Sequence, residues 1–375
     1  MSQQATTPTR AGHDTASSDG DTDTGADAVR TVTDASSDLD VHVLETIRVT
    51  EKRRWNDVVE RADLGTVFHR YEWLEAVEDG LDYPARHLLI EKDTNPIGVF
   101  PHFVVDVPKT PFERVTSIYP GFGGPLLTTD VSDSLSAVVD VASQLCTGRT
   151  IAHEIRACNT NFLRYNDYLK SRGYRPVQNG GRFVLRLDRD YEEILAEMDS
   201  SKRRAIRRGR ETDHEIVEEE LTEANLLRFQ ETHERHMNSV GGDVYPPAFF
   251  EALTGMDDRI LLVTLRIDGE YAGGFLELLD EERSTVHGFF AAIPEKYFEY
   301  HASELLYDYV FRWCLEEGYE TYDFGGAGGD FEDGAFRFKE EFGGELVPNL
   351  YWERGSGLAW KLFENGRSLY WRYAD

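Results

Sequence analysis

The sequence predicts an α/β (α+β) fold made of two tandem, duplicated domains, each a mixed central sheet flanked by helices. Three observations carry that expectation. From about residue 43 onward, apolar side chains recur alternately at helical and at strand spacing. The same order of elements returns at an offset of about 175 residues, which marks a duplicated domain rather than a solenoid unit. With 375 residues, 40% hydrophobic and 12% aromatic, the chain can fill two separate cores.

Residues 1–42 carry eight Asp, two Arg and few large apolar side chains, so burial cannot offset the entropy of ordering them. They are expected to form a disordered acidic tail. Helical spacing follows at 52–62 and 71–78, then strands at 87–91 and 96–105 joined by turn residues 93–95, a helix at 135–146 and a strand at 150–156. The second half repeats this with a short helix at 249–253, strands at 259–267 and 271–279 around the turn 268–270, a strand at 285–292, a helix at 303–316 and a strand at 320–324. YEWLEAV followed by ARHLLIEKDTNPIGVFPHFVVD thus runs parallel to PAFFEAL followed by DRILLVTLRIDGEYAGGFLELLD. The expected division is a first domain at 43–188 closing on a strand at 182–187, a basic helical connector at 189–215 and a second domain at 216–375. The segment 358–373, with Trp360, Phe363, Tyr370 and Trp371, is expected to pack on the second domain rather than lie on a membrane.

The formal charge is -29, with 69 acidic residues against 8 Lys and 32 Arg. Such a Lys-poor, acid-rich surface stays hydrated in concentrated salt, which points to a halophilic protein. At molar ionic strength the Debye length shrinks to about 3 Å, so only direct contacts to a polyanion persist. Cys146, Cys158 and Cys314 are far apart without CxxC spacing, which implies neither a disulfide framework nor a zinc site. His233 and His236 do not form an HExxH pair, and no metal is assigned. No apolar run of membrane-spanning length and no secretory signal pattern is evident, so the expected location is cytoplasmic.

Two segments carry chemistry. KRRAIRRGR (202–210) concentrates six cations in nine residues, and YDFGGAGGDFEDGAFRFKEEFGG (322–344) places a lysine in a glycine-rich stretch. The order of elements in each half resembles the GNAT acyltransferase fold. Tandem copies with a basic connector, Tyr322-Asp323-Phe324-Gly325-Gly326, Phe338-Lys339 and Phe342-Gly343-Gly344 resemble the Fem-type (FemABX) aminoacyl transferases and their BioF2-like acyltransferase relatives. GFGGPLL (121–127) is similar to that family's first-domain substrate loop. The resemblance covers about residues 45–365. It implies transfer of an aminoacyl group from charged tRNA to an amine, with no tightly bound cofactor.

Amine attack on an ester builds an oxyanion, and by resemblance the lysine that stabilises it is Lys339, with Phe338 beside the substrate. A lysine in a chain that favours Arg suits a compact ammonium; the competing reading pairs it with Glu340 or Glu341 at the surface. Asp323, at a strand end before Gly325 and Gly326, is the candidate to orient or deprotonate the amine, or is an ordinary turn residue. Lys202, Arg203 and Arg207 are expected to grip phosphate on donor or acceptor, against pairing with Glu192, Glu193, Glu197, Glu211 and Glu215. Tyr119, Gly123 and Gly124 would shape the acceptor site. His287 is placed with the substrate-binding residues, the competing reading being a core histidine.

Coenzyme A is the alternative donor. GNAT enzymes hold its pyrophosphate on a glycine-bearing loop at a helix N-terminus. Here that place reads PEKYFEYHASELL (294–306), without glycine and with Phe298, Glu299 and Tyr300 in the way. A non-catalytic phosphate- or RNA-binding module on the same scaffold is the remaining alternative. The acceptor is expected to be a small amine-bearing molecule, a phosphorylated one included.

Overall fold

Runs apolar on both faces become inner strands, and alternating runs become strands with one wet face. The computed structural model describes residues 30–33 and 38–373, apart from 130 and 179. Its first half comprises β1 (Arg30–Thr33), β2 (Leu39–Leu44), α1 (Val49–Arg61), α2 (Tyr71–Leu81), β3 (His87–Lys92), β4 (Asn95–Phe100), β5 (Phe103–Asp106), β6 (Glu113–Thr116), β7 (Leu126–Leu127), α3 (Val131–Gln144), β8 (Thr150–Ala157), α4 (Asn166–Ser171) and β9 (Arg175–Val177). The second half contains β10 (Gly181–Arg186), α5 (Tyr191–Glu197), α6 (Ser200–Arg210), β11 (His214–Glu219), α7 (Glu223–Val240), α8 (Pro247–Ala252), β12 (Ile260–Ile267), β13 (Glu270–Asp280), β14 (Thr285–Ala292), α9 (Ala302–Glu316), β15 (Thr321–Ala327), α10 (Gly334–Glu340), β16 (Glu345–Pro348), β17 (Leu350–Gly355) and α11 (Gly357–Tyr373).

β12, ILLVTLRI, is buried at every position but Arg266 and lies inside a seven-stranded sheet of order β11-β12-β13-β14-β15-β10-β16. The first half forms two five-stranded sheets, β1-β2-β3-β4-β7 and β5-β6-β8-β17-β9. β14 and β15 are parallel, β10 runs antiparallel beside β15, and β16 antiparallel beside β10. In the first lobe β6 and β8 are parallel, β17 is antiparallel beside β8, and β9 antiparallel beside β17. The two edges match strand for strand, with β10 and β17 exchanged between the lobes.

Several expectations are corrected. The strand expected to close the first domain is an inner strand of the second sheet, and 350–355 returns to the first, so a boundary at 188 does not separate the sheets. Two-residue alternation reveals a strand but not its neighbours. The strand expected at 96–105 is split between two sheets at Pro101, which has no N–H to donate, and the N–H of His102 goes to His87 Nδ1 at 3.0 Å. The connector helix breaks at Met198, and the Asp199 side chain accepts from the Ser201 N–H at 2.7 Å to start α6. Of the expected disordered tail, 30–33 pair with 40–43 as antiparallel strands; residues 1–29 lie outside the described residues.

One core joins the lobes. Trp73 of α2 meets Phe249 of α8 edge-on and Phe289 of β14, while Leu262, Leu276, Leu278 and Phe290 complete the same cluster. A second core lies between the seven-stranded sheet and α9, around Phe183, Tyr307, Phe311, Tyr322 and Phe342. Among the described residues no helix is long and apolar enough to cross a membrane.

Candidate active site

β14 and β15 pair only through Thr285 with Thr321, Val286 with Tyr322, and His287 with Asp323. Beyond that register they part, and the opening is lined by Gly288 and Ala291 on one strand and Phe324, Gly325 and Gly326 on the other. It forms one wall of a cavity of ≈ 470 Å³ whose opposite wall is Tyr119, Phe122 and Arg156 of the first lobe. Lys339 lines this cleft between the lobes.

α10 brings Lys339 there. The Asp333 side chain accepts from the N–H groups of Ala335 and Phe336 at 2.8 and 3.0 Å, which starts the helix, and Phe336 packs edge-on against Phe183. One turn on, Lys339 Nζ donates to Gly326 O at 2.6 Å. The side chain is half-buried. Burial pulls its pKa below the ordinary lysine value, against the opposing pull of Asp323 and Asp333.

Asp323 lies beneath the cleft rather than in it. One carboxylate oxygen faces Arg182 Nε at 2.8 Å and His287 Nδ1 at 3.3 Å, and the other accepts the Gly325 N–H at 2.9 Å. Burial would raise its pKa, but His287, Arg182 and the Gly325 N–H together hold it below the usual value. Asp323 therefore does not line the cleft, where contact with an incoming amine was expected. Asp323 fixes Gly325, whose φ of 74° favours glycine, and the next residue offers the carbonyl that receives Lys339.

His287 is likewise interior. It lies between Asp323 and Asp280, with Nε2 3.5 Å from Asp280 Oδ2, and packs against Phe68 of the first lobe with ring centroids 5.0 Å apart. Burial alone would lower its pKa, but the two carboxylates push it up to about 9. It does not line the cleft, so its placement among substrate-binding residues is corrected to the core-histidine reading. Nearby Glu277 is fully buried, receives the Tyr322 hydroxyl at 3.0 Å and is pushed up to about 8 by burial.

The basic helix divides by face. Lys202 is buried, 2.9 Å from Glu304 and 3.5 Å from Glu341, with its ammonium 3.6 Å from the Phe338 ring centre. Arg203 donates to the carbonyls of Ala196 and Met198 at the end of α5. The charge of Lys202 is thus spent inside the protein and not on phosphate, whereas Arg203 is exposed and engages only its Nη1. Arg210 is paired with Asp308. Arg204, Arg207 and Arg208 are exposed and form no ion pair among the described residues, so the competing pairing with the flanking acids is not seen at these three.

Tyr119 lines the cleft as expected, but Gly123 and Gly124 do not. Both are buried, and an added Cβ would meet Ile118 at 2.2 Å or Phe162 at 2.5 Å, so they serve close packing behind the loop. Phe338 lines a second cavity of ≈ 470 Å³ at the start of α9, together with Phe275, Tyr307 and Glu304. Glu304, in that first helical turn, is the partner of Lys202. Consecutive residues Phe338 and Lys339 thus face two cavities that share Ala291. One cleft residue missed in the sequence is Arg156, whose only signal is a cation in the strand TIAHEIRA, which also carries His153 and Glu154. Among the described residues no group of His, Cys, Asp or Glu is arranged to hold a metal.

Residues 196–340 match the family model described as an acetyltransferase (GNAT) domain. The crystal structure of FemX aligns with a TM-score of 0.66 at 15% identity, covering 88% of this chain and 100% of FemX. The fold is a tandem GNAT fold. A tandem GNAT protein from the clavulanic acid biosynthesis pathway aligns at 0.51 and 11% identity, over 85% of this chain and 99% of its own. A C-terminal domain (DUF2156) assigned to a lysylphosphatidylglycerol synthetase of Agrobacterium fabrum aligns at 0.54 and 14% identity, over 86% and 96%. Comparison with curated proteins gives no match.

Proposed function

We propose that this protein is an acyltransferase of the Fem type, moving an aminoacyl group from charged tRNA onto a small amine in the cleft between the lobes. The observation that carries the reading is the half-buried ammonium of Lys339, held by Gly326 O at the opening of β14 and β15. The amine nitrogen attacks the ester carbonyl carbon, the carbonyl oxygen becomes an oxyanion, and Lys339 stabilises it by about 3 to 4 kcal/mol in a site shielded from water. Collapse breaks the ester C–O bond, and the proton lost by the amine ends on the departing ribose oxygen. Similarity of fold to FemX and to the lysylphosphatidylglycerol synthetase domain supports an aminoacyl donor.

An acyl-CoA donor is the second reading, favoured by the acetyltransferase model match at 196–340. The absence of glycine at 294–306 weighs against it. The test is to incubate the protein with charged tRNA and a metabolite extract in concentrated KCl and follow amine products heavier by an amino-acid residue. Ribonuclease treatment of the donor should abolish transfer, and Lys339→Ala should lower turnover at least about a hundredfold while the protein stays folded. Transfer that survives ribonuclease and needs acetyl-CoA would move the assignment to the second reading. Unchanged function in Lys339→Ala would leave a binding module.

A further inference from the structure

We infer that the cleft selects an acceptor carrying a carboxylate or phosphate on the same small molecule as its amine, with Arg156 as the group that binds that oxyanion. The inference rests on the acyltransferase reading only for calling the ligand an acceptor. Arg156 projects from β8 into the cavity that Lys339 lines from the other lobe. Its guanidinium carbon is 4.8 Å from the Tyr119 ring centre, 5.2 Å from that of Tyr351 and 5.6 Å from that of Phe122. Stacking on aromatic faces fixes the plane of a guanidinium and leaves its N–H edge for a ligand.

That edge is under-used. Nη2 reaches only the Tyr351 hydroxyl at 3.5 Å, and the buried Nε has no hydrogen-bond partner. The arginines about a tenth exposed have carboxylates beside them: Arg70 has Glu60, Glu72 and Glu282, Arg182 has Asp323, and Arg259 has Glu281 and Glu282, while Arg283 donates to the carbonyls of Ala62 and Glu282. In a chain with 69 acidic residues, a boxed arginine with no carboxylate partner among the described residues is a vacancy for an external oxyanion. Bidentate pairing with carboxylate or phosphate is what such a fork fits, and the contact survives salt because it is direct. Asp243 lines the same cavity and gives the ligand's cationic nitrogen a counter-charge before it is deprotonated. The cavity volume of ≈ 470 Å³ is enough for a small molecule.

The test titrates the full-length protein, in concentrated KCl, with two pairs of probes: L-lysine against cadaverine, which lacks only the carboxylate, and O-phosphoethanolamine against ethanolamine. One anionic member should bind at least about tenfold more tightly than its partner, the low end for a charge-assisted hydrogen bond. The pair that shows the difference identifies carboxylate or phosphate as the oxyanion. Arg156→Met should erase the preference, and Lys339→Ala should retain it. Should Arg156→Met fail to fold, Arg156→Lys keeps the charge but loses the fork, and the preference must shrink. Equal binding within both pairs, no binding of either anionic probe, or an unchanged preference in the Arg156 variants overturns the inference. Intact selectivity without any acyl transfer would instead reject the enzyme reading and leave this site standing.

Discussion

At Asp323 a charge removed from the interior is felt at the surface of the cleft. Asp323→Asn leaves Arg182 and His287 without their shared counter-ion, which should cost about 3 kcal/mol or more in a urea titration. Because the same carboxylate holds Gly325 and so the carbonyl facing Lys339, turnover should fall even at temperatures where the variant is fully folded. Two neighbours add a pH dependence. Glu277 has an ordinary value of 4.5 and a folded one of about 8, and His287 has 6.5 and about 9. Both bind a proton more tightly in the folded state, so their stabilisation is complete below 4.5 and 6.5 respectively and is lost as pH rises through about 8 and about 9. Glu277→Gln should therefore flatten the decline in denaturation midpoint between pH 4.5 and 6.5 and leave the His287 part above it. Lys339 was legible because its FK motif sits in a distinctive glycine-rich segment. The burial of Asp323 was not, since a strand-end carboxylate looks the same in sequence whether it faces solvent or a buried arginine 141 positions earlier.

The helix α6 separates two uses of positive charge within eleven residues. Lys202→Met keeps apolar contact with Phe338 and Phe342 but strands Glu304, so thermal stability should fall while tRNA affinity is unchanged. Reversing Arg204, Arg207 and Arg208 to Glu should do the opposite: weaken binding of charged tRNA in a filter or fluorescence assay and leave the melting temperature within a degree or two, as for exposed positions generally. Composition identified this helix as the cationic element. It could not say which cations turn inward, because both faces of KRRAIRRGR are basic and the inward face is decided by α9, whose Leu305 lies against Gly209. The division of the connector at Asp199 was readable in principle from Asp-Ser-Ser ahead of the basic run, which is a helix-start pattern.

For the molecule as a whole, the repeat at an offset of about 175 residues foretold two similar lobes, and the tandem GNAT fold has them. The exchange of β10 and β17 was not legible, since hydropathy assigns a strand to a sheet face and not to a lobe. Expressing residues 1–188 and 189–375 as separate proteins should give aggregated products, each missing an inner strand that the other carries, whereas co-expression should recover a soluble complex. Two soluble monomers with cooperative unfolding would contradict the exchange. During synthesis the ribosome releases the front lobe long before residues 350–355 emerge, so that lobe waits with a gap between β8 and β9 until they do. The nascent front lobe is therefore exposed to chaperones and proteases while residues 178–349 are made, and a premature stop between Lys339 and Leu350, which spares every residue lining the cleft, should still yield no usable protein.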